Sequence, residues 1–380
     1  MNDYKKVQDK FHSECVDRFM TTYSFLRGKK VYIYGSGVSG TYLAKALVEF
    51  GICGKEDVLA FVNDFQNGFA IPIGERQIPV IKLEDCNFSQ DYCVVVAIRN
   101  NQAVIGRLAD KGIKYFADSE IGLGTMLLPM CHHDSGSSIW DVNLRFKQYA
   151  ELNLPEDEMR GFYCDEESLA VLNNRLEFYK TGERKLLETC PRGKWQYFEE
   201  GLLDFGQNEV FLDLGAFTGD TALAFAKRTN GKYRKIISFE PDHATYKTLE
   251  RNTAGLHDIE LVEAATGEYD GEVQFAEGLG SSSFISTEQG SRTVKVLKLD
   301  GFIKDPVTVV KMDIEGAELE TLRGMKELIK TNRPKLAICV YHKLEDLWTI
   351  PHYLRQLVPD YRFKLRQYEI GMIETVLYAY

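Results

Sequence analysis

Apolar residues in this chain fall into short β-branched runs, separated by stretches in which apolar positions recur every three or four residues. In the first 120 residues the runs lie at 30–34, 58–64, 92–98 and 113–116. The spacing elsewhere predicts helices over about 4–26, 41–50 and 102–111. Strands that are apolar throughout need cover on both faces, so this order predicts a parallel sheet between two layers of helices.

A second set of runs begins near residue 209 and ends in a hairpin pattern. Apolar strands are predicted at 211–214, 236–239, 259–262, 308–312 and 336–341. The segments 361–368 and 373–380 flank Glu369-Ile-Gly371, a turn signal that adds one antiparallel strand to a parallel sheet. We therefore expect an α/β protein with two Rossmann-like domains, the second with a mostly parallel seven-stranded sheet and an antiparallel C-terminal hairpin.

The periodicity changes between the two sets of strands. It fades over 118–154, in a stretch rich in Gly, Ser, His and Pro, and returns with helical spacing over 155–189 and 195–205. The expected organisation is a Rossmann-like domain over 1–120, a linker and helical bridge or lid over 121–194, and a second α/β domain over 195–380.

Composition and charge narrow the class of protein. The chain has 380 residues, of which 44% are hydrophobic and 27% charged, enough apolar surface for two folded domains. Its formal net charge of -10 opposes binding to nucleic acid or to an anionic membrane. No apolar run approaches the roughly 20 residues that cross a bilayer, and the start lacks the apolar core of a signal peptide. A cytoplasmic protein without nucleic-acid or membrane partners is expected.

The cysteines give no sign of a metal or disulfide scaffold. The eight of them include no C-x-x-C pair, so neither a zinc knuckle nor a disulfide framework is indicated. The densest run of metal-ligand types is Cys131-His-His-Asp134, but adjacent residues rarely converge on one ion. No metal site is expected there.

The run Val210-Phe-Leu-Asp-Leu-Gly-Ala-Phe-Thr-Gly-Asp220 joins a strand to a helix through two glycines flanked by acids. Gly215 and Gly219 let the backbone come close to a ligand, whose contacts include the N–H groups at the start of the helix. No Lys follows, as it would in a P-loop, and Asp213 and Asp220 would repel a pyrophosphate. An adenosyl cation such as S-adenosylmethionine suits this turn. The predicted contacts are Asp213, Gly215, Ala216, Gly219, Asp220 and Thr221.

The next two strand ends add candidate contacts for the same ligand. Glu240 ends a strand about 20 residues after the turn, where a carboxylate accepts hydrogen bonds from both ribose hydroxyls. A cap for the helix after Pro241 is the alternative role. Ala264, in Glu263-Ala-Ala-Thr-Gly267, lies where an adenine ring would meet small residues, with an ordinary small-residue turn as the alternative.

The segment Val309-Val-Lys-Met-Asp-Ile-Glu-Gly-Ala-Glu318 groups charges at another strand end. Alternation puts Lys311 and Asp313 on one side of the strand, and Asp313 leaves the sheet at its carboxyl edge. Asp313 is the candidate for orienting donor or acceptor, and Lys311 is a second candidate. Glu315 and Glu318 suit the first turn of a helix. The three acids could also hold a divalent ion, but no His or Cys is expected to join them and no metal is predicted.

His342 follows the strand 336–341, opposite the expected donor site. Ligands of open α/β sheets bind outside the carboxyl ends of the strands, so its imidazole is suitably placed to take a proton from an attacking hydroxyl. A structural role for a single histidine is the alternative. The predicted catalytic residues are therefore His342, Asp313 and Lys311.

The second half of the chain, from about residue 196, resembles the FkbM family of S-adenosylmethionine-dependent O-methyltransferases. The resemblance rests on Gln196-Tyr-Phe198, residues 211–221, Phe239-Glu-Pro-Asp242, Leu297-Lys-Leu-Asp300, residues 311–318 and residues 340–348. It implies cofactor roles for the matched Asp213, Gly215, Gly219 and Glu240. It also implies methyl transfer to a hydroxyl of a sugar, glycan or natural product, so the predicted acceptor is a saccharide or related small molecule.

The first half resembles the small nucleotide-sugar-binding domain at the front of some bacterial sugar acyltransferases. The shared motifs are Tyr34-Gly-Ser-Gly-Val-Ser-Gly40 and Phe61-Val-Asn-Asp64. By this resemblance Gly35, Gly37 and Gly40 would approach a nucleotide or nucleotide-sugar, and Asp64 its ribose. The alternative is a Rossmann-shaped domain that serves dimerisation or substrate presentation without a nucleotide, which leaves a homodimer open.

Two other functions stay open from the sequence. An NAD(P)-dependent oxidoreductase would use the first glycine turn, although no Tyr-x-x-x-Lys pair or similar hydride-transfer set follows it in the first half. A non-catalytic protein would use both sheets to sense nucleotides.

Overall fold

The computed structural model describes residues 4–64, 68–88, 91–98, 102–117, 142–276, 284–285 and 292–380. The chain divides into two compact units, Met1–Ala150 with Glu177–Lys185 and Glu151–Leu176 with Leu186–Tyr380. Each unit is built around its own large sheet. The predicted domain boundaries, at residues 120 and 194, stay a prediction.

The described residues form the following α-helices and strands. The helices are α1 Tyr4–Tyr23, α2 Val38–Glu49, α3 Gln102–Asp110, α4 Val142–Leu152, α5 Glu156–Arg160, α6 Glu166–Thr181, α7 Lys185–Glu188, α8 Asp220–Arg228, α9 His243–Thr253, α10 Leu299–Phe302, α11 Glu318–Gly324, α12 Lys326–Asn332 and α13 Asp346–Leu357. The strands are β1 Lys30–Tyr34, β2 Val58–Asn63, β3 Ala70–Ile73, β4 Arg76–Lys82, β5 Tyr92–Val96, β6 Tyr115–Ala117, β7 Val210–Leu214, β8 Lys235–Phe239, β9 Ile259–Val262, β10 Ala265–Thr266, β11 Gly271–Ala276, β12 Phe284–Ile285, β13 Arg292–Leu297, β14 Val309–Met312, β15 Lys335–Cys339, β16 Phe363–Gln367 and β17 Thr375–Ala379.

The first unit contains a six-stranded sheet in the order β3-β4-β2-β1-β5-β6. β1 pairs in parallel with β2 and β5, so the strand before the first glycine turn is central. Apolar residues of these strands pack with Val104 and Leu108 of α3. The pattern did not predict β3 and β4, which form an antiparallel hairpin around Gly74, whose φ of 59° suits a tight turn.

The second unit contains a seven-stranded sheet in the order β16-β17-β15-β14-β7-β8-β9. The strands from β15 to β9 run parallel, and β17 pairs antiparallel with both β15 and β16. The rings of Phe211 and Phe225 stack with centroids 4.4 Å apart, which fixes α8 against β7. The prediction of an α/β fold with a mostly parallel seven-stranded sheet and an antiparallel C-terminal hairpin is confirmed.

The second unit also contains a smaller sheet, in the order β10-β13-β11-β12, that the pattern did not predict. Its core consists of Ala265, Phe275, Val294 and Val296. β13 alternates exposed and buried side chains rather than forming an unbroken apolar run, because only one face of this sheet is covered.

Residues 195–205 form turns and not the predicted helix. The N–H of Phe198 donates to the carbonyl oxygen of Trp195, and Tyr197 has a φ of 65°, a left-handed conformation that interrupts a right-handed helix. Phe198 and Leu203 are nevertheless buried in the core, which explains the helix-like spacing of apolar residues.

The turn after β7 meets the turn after β14 at one glycine. Gly215 has a φ of 76°, and a Cβ built on it would lie 1.8 Å from the carbonyl oxygen of Asp313. Its N–H donates to the carbonyl oxygen of Phe239 at 3.1 Å, which ties the turn to β8 as well. Any side chain here would push the two turns apart, so glycine is what permits their approach.

Gly215→Ala is expected to lower the free energy of unfolding by about 3 kcal/mol or more. The added methyl group would clash with the backbone of Asp313, and alanine would also be strained at the positive φ of this position. Gly231→Ala is the matched control: its φ is 69°, but a Cβ there meets nothing within 4 Å. Only the conformational cost of about 1–2 kcal/mol is expected for the control. Urea denaturation followed by circular dichroism measures both, and equal effects would contradict the close approach.

Candidate active site

A cavity lies at the carboxyl ends of β7, β8 and β14 in the second unit. It is lined by residues predicted from four separate segments: Gly215, Asp220, Thr221, Glu240, Ala264, Lys311 and Asp313. The smaller sheet contributes Ala265, Thr266 and Phe275 to its wall. Strand ends of a parallel sheet meet at one edge, which is why these segments come together.

Three other predicted residues lie beneath the cavity surface. Ala216 is fully buried, and its N–H donates to the carbonyl oxygen of Phe239 at 2.8 Å. Gly219 precedes α8 with a φ of 90°, and a Cβ on it would lie 2.6 Å from Thr253. Asp213 is fully buried. These residues shape the turn, and their predicted roles in binding a cofactor stay predictions.

The Glu240 carboxylate joins the glycine turn after β7 to the loop between β8 and α9. Its Oε2 accepts from the N–H of Phe217 and its Oε1 from the N–H of Asp242, each at 2.9 Å. Burial raises the pKa of Glu240 to about 7, although the two N–H donors oppose the shift. The helix cap considered as its alternative role is supplied by Asp242, whose side chain accepts from the N–H of Thr245 at 2.8 Å.

Lys311 and Asp213 form a buried ion pair beneath the glycine turn. The Nζ of Lys311 lies 3.3 Å from Oδ1 of Asp213 and donates to the carbonyl oxygens of Leu214 at 3.3 Å and Gly215 at 2.5 Å. Burial raises the pKa of Asp213 to about 6, and the charge of Lys311 opposes the shift. Burial also acts to lower the pKa of Lys311, but the charges of Asp213 and Asp313 outweigh it and raise that pKa to about 12. Lys311 is therefore a permanent cation at this position.

Asp313 faces donors from three directions. The Tyr197 hydroxyl donates to its Oδ2 at 2.8 Å and the Tyr341 hydroxyl to its Oδ1 at 3.4 Å, while Nε2 of His342 lies 3.4 Å from Oδ1. Burial acts to raise the pKa of Asp313, but the charges of His342 and Lys311 and the Tyr197 hydrogen bond outweigh it and hold the pKa below its ordinary value. The carboxylate is thus ionised and fixed.

His342 lies behind the cavity surface, with a side chain that is 0% exposed. Its Nδ1 lies 2.8 Å from Oε1 of the buried Glu318, and its Nε2 lies 3.6 Å from Oε2 of Glu315. Burial acts to lower the pKa of His342, but Glu318, followed by Asp313 and Glu315, outweighs it and raises the pKa to about 10. The predicted catalytic role of His342 stays a prediction, and its link to the cavity runs through Asp313 and Glu315.

Two further acids line the cavity from left-handed backbone conformations. Glu315 has a φ of 54° and Glu374 a φ of 58°. The Nε2 of Gln196 donates to Glu374 at 2.5 Å. Burial raises the pKa of Glu315 to about 8; the charge of His342 opposes this shift, and that of Asp313 adds to it.

Two groups of side chains around Asp313 have metal-ligand spacing. Asp313 groups with Cys339 and Glu374, and separately with Glu318 and His342, with ligand atoms within 4.8 Å of one another. The premise that no His or Cys joins the acids is therefore wrong, because β15 and the loop after it bring Cys339 and His342 to Asp313. These side chains make hydrogen bonds and ion pairs with one another, so spacing alone assigns no metal. The run at residues 131–134 lies outside the described residues.

The first glycine turn lies at the carboxyl end of β1 in the first unit. Gly35 has a φ of 117°, and a Cβ on Gly40 would lie 1.9 Å from the carbonyl oxygen of Gly35, so Gly40 lets α2 pack on the turn. The Nη2 of Arg107 donates to Oδ2 of Asp64 at 2.5 Å. The predicted nucleotide contacts at Gly35, Gly37, Gly40 and Asp64 stay a prediction.

Tyr197, Glu315 and Glu374 are cavity residues that the sequence reasoning missed as site residues. Tyr197 reaches Asp313 from 116 positions away along the chain, a separation that no local pattern reports. For Glu315 a signal existed: the Glu-Gly pair at 315–316 permits a sharp turn out of the strand, and Gly316 takes a φ of 98°.

Comparison with known proteins finds a domain model that matches part of the chain and a solved structure of similar fold. Residues 213–365 match the Methyltransferase FkbM domain. The crystal structure of methyltransferase FkbM from Methylobacillus flagellatus KT is similar over 100% of both chains, with a TM-score of 0.56 and 22% identity. An rRNA methylase from Streptococcus thermophilus matches over 47% of this chain and 87% of its own, with a TM-score of 0.31 and 15% identity. Precorrin-6y C5,15-methyltransferase from Geobacter metallireducens GS-15 matches over 53% of this chain and 88% of its own, with a TM-score of 0.32 and 12% identity. No curated protein matches the sequence.

The family match confirms two predictions for the second half, its FkbM resemblance and its enzyme class, an S-adenosylmethionine-dependent methyltransferase. The M. flagellatus structure supports the fold alone, and the other two similarities are too low to bear on this chain. The predicted acyltransferase-like resemblance of the first half is not confirmed. None of the helices in the described residues is long and apolar enough to cross a membrane.

Lys311→Met is expected to lower the free energy of unfolding by about 3–5 kcal/mol, because it leaves the buried Asp213 without its cation. The double variant Asp213→Leu/Lys311→Met removes both charges and is expected to regain most of that loss. Chemical denaturation of the two single variants and the double variant measures the coupling. If the loss of unfolding free energy in the double variant equalled the sum of the losses in the two single variants, the interaction between Lys311 and Asp213 would contribute nothing to stability.

Proposed function

We propose that this chain, whose residues 213–365 form a methyltransferase FkbM domain, transfers a methyl group from S-adenosylmethionine to a hydroxyl of a saccharide or related small molecule. One observation carries the proposal: a single cavity joins the glycine turn and Glu240 on one side to the carboxylates of Asp313 and Glu315 on the other. The first side suits a nucleoside, and the second suits a group that loses a proton on reaction.

The residues around the glycine turn fit an adenosyl cofactor. Gly215 keeps side-chain bulk away from the turn, Glu240 offers a buried carboxylate for a ribose diol, and Ala264 presents a small surface for a base. Lys311 is the basic side chain among the described lining residues, and its ammonium is already engaged by Asp213 and two carbonyl oxygens. Acids therefore dominate the free charge of the lining, which favours a cationic ligand.

The reaction asks two things of the protein's own residues. When bound, S-adenosylmethionine supplies a methyl group on a positively charged sulfur. The protein must hold the acceptor oxygen in line and receive its proton. Tyr197 and Tyr341 fix Asp313, which then presents a constant hydrogen-bond acceptor to the substrate hydroxyl. We assign uptake of the proton to the cluster of Asp313, Glu315 and His342.

The lining near this cluster supports a polyhydroxyl acceptor. Gln196 and Tyr197 bring an amide and a hydroxyl, and Asp313, Glu315 and Glu374 bring carboxylates. Such groups accept and donate the hydrogen bonds that sugar hydroxyls need, while the excess of carboxylates disfavours phosphorylated or carboxylated acceptors.

For the first unit we propose binding of a nucleotide or nucleotide-sugar through Gly35, Gly37, Gly40 and Asp64. The close glycine turn at the end of the central strand β1 supports this role. In the alternative, dimerisation or substrate presentation, Asp64 serves only its ion pair with Arg107. Calorimetric titration with UDP-sugars separates the two roles, and binding of NAD would instead favour an oxidoreductase.

Glu240→Gln is expected to weaken binding of S-adenosylhomocysteine by about 10- to 100-fold, because an amide replaces the charged acceptor of the ribose hydroxyls. The control is Glu263→Gln, since Glu263 pairs with His243 and Arg292 and does not line the cavity. Calorimetry measures both variants, and thermal unfolding checks their folds. Failure of the wild type to bind S-adenosylhomocysteine would overturn the proposed function.

His342→Ala is expected to lower kcat by about 100-fold or more, because the proton-accepting cluster loses its cation. The Kd for S-adenosylhomocysteine is expected to stay within about threefold of the wild-type value. The assay uses tritium-labelled S-adenosylmethionine and a panel of methyl glycosides. His342→Gln is tested beside it, because its amide can still donate to the buried Glu318 and protects the fold. Wild-type turnover in both variants would remove His342 from the mechanism.

A further inference from the structure

We propose that Glu315 is the general base that takes the proton from the acceptor hydroxyl, and that His342 is a positioning residue that acts through Glu315. The inference rests on the proposed function, methyl transfer to a hydroxyl. It narrows the proton-accepting cluster of Asp313, Glu315 and His342 to Glu315, whose carboxylate lines the cavity and can accept a proton.

The backbone presents Glu315 to the cavity. The chain leaves β14 at Asp313, and Glu315 and Gly316 follow with φ values of 54° and 98°, so two consecutive residues are left-handed. A glutamate pays a conformational cost in this region, which is common where a side chain must be aimed at a ligand. The side chain of Glu315 lines the cavity and is 21% exposed.

Asp313 is less suited to accept the proton, although it lines the same cavity. Its two oxygens already face the hydroxyls of Tyr197 and Tyr341 and the imidazole of His342. These donors stabilise the ionised form, and a carboxylate stabilised in this way is a weak base. Asp313 therefore suits the orientation of the acceptor, which needs a constant charge.

His342 is less suited because its imidazole is enclosed. Its side chain is 0% exposed, and Nδ1 faces the buried Glu318 at 2.8 Å. Nε2 lies 3.6 Å from Oε2 of Glu315, so the imidazole reaches the cavity only by way of the Glu315 and Asp313 carboxylates. Its charge favours the ionised form of Glu315 and orients that carboxylate.

The environment of Glu315 matches the strength that a base needs. Burial raises its pKa to about 8; the charge of His342 opposes this, and the charges of Asp313, Glu318 and Glu374 add to it. The Tyr341 hydroxyl also faces the cluster. A base works in its deprotonated form, so activity should be low below this pKa and rise as pH increases through it.

The step balances without any further reactant. The acceptor oxygen forms the new bond to the methyl carbon, and the bond from that carbon to sulfur breaks with its electron pair left on sulfur. The O–H bond of the acceptor breaks, and its proton goes to Oε2 or Oε1 of Glu315, which becomes a neutral carboxylic acid. Solvent then removes the proton.

The first test compares pH profiles of kcat on the methyl glycoside that the wild type turns over best. We expect an ascending limb near pH 8 in the wild type and in the control Glu327→Gln, whose side chain is 67% exposed on α12. Glu315→Gln should lose about 100-fold or more in kcat together with the limb, and Glu315→Asp should recover part of both. His342→Gln should move the limb to higher pH, because it removes the charge that opposes protonation of Glu315.

The second test needs no acceptor. Infrared difference spectra of the S-adenosylhomocysteine complex between pH 6 and 10 should contain a carboxyl band that is absent in Glu315→Gln and present in Glu327→Gln. A wild type that methylates no hydroxyl would overturn the proposed function itself. If the wild type is active, a normal kcat and an unchanged ascending limb of the pH profile in Glu315→Gln would overturn the role of Glu315 alone. The same conclusion would follow if His342→Gln lost the ascending limb while its infrared spectra still contained the carboxyl band of Glu315.

Discussion

The second unit depends on one buried charge, the ammonium of Lys311. β14 and β7 pair in register with Lys311 opposite Asp213, so the ion pair ties the two strands at the point where both turn toward the cavity. The carbonyl oxygen of Gly215 lies beyond the ladder and accepts from the same ammonium, while that of Leu214 accepts both from the N–H of Asp313 and from the ammonium. Only with these groups satisfied can Gly215 lie against the backbone of Asp313 and bring the cofactor side and the acid side of the cavity together.

The arrangement of charges follows from that pair. Lys311 balances Asp213 beneath the turn, and His342 balances Glu318 behind the acid cluster. Among the described residues, these two cations near the cavity are therefore matched to buried acids, and the carboxylates that line the cavity are those of Asp220, Glu240, Asp313, Glu315 and Glu374. A cavity of this charge is stabilised by a positive ligand, which is the property that the acids of the glycine turn suggested from the sequence.

Sequence patterns predict the parts of this site that are local. Gly215, Glu240 and Asp313 each follow an apolar strand, and parallel strands present their carboxyl ends at one edge, so the cavity could be inferred without coordinates. The place of Tyr197 in the site could not be inferred from the sequence. Its apolar neighbours have helical spacing, whereas its own φ of 65° interrupts the helix. Burial of those neighbours in the core overrides local preference, and the contact with Asp313 spans 116 positions. The smaller sheet was missed for a related reason, since its alternating strands give a weaker signal than unbroken runs.

Glu315 shows how two carboxylates separated by one residue can take different roles. Asp313 and Glu315 share the same turn and the same burial, so the difference must come from their partners. Asp313 has donors on both oxygens, which stabilise its charge, whereas Glu315 is surrounded mainly by other acids and relies on the charge of His342. The left-handed backbone at Glu315 and Gly316 turns the chain out of the strand direction, and there the Glu315 carboxylate lines the cavity with Nε2 of His342 3.6 Å from its Oε2. Their different partners thus divide a single acidic motif into an anchor that stays ionised and a neighbour that can exchange a proton.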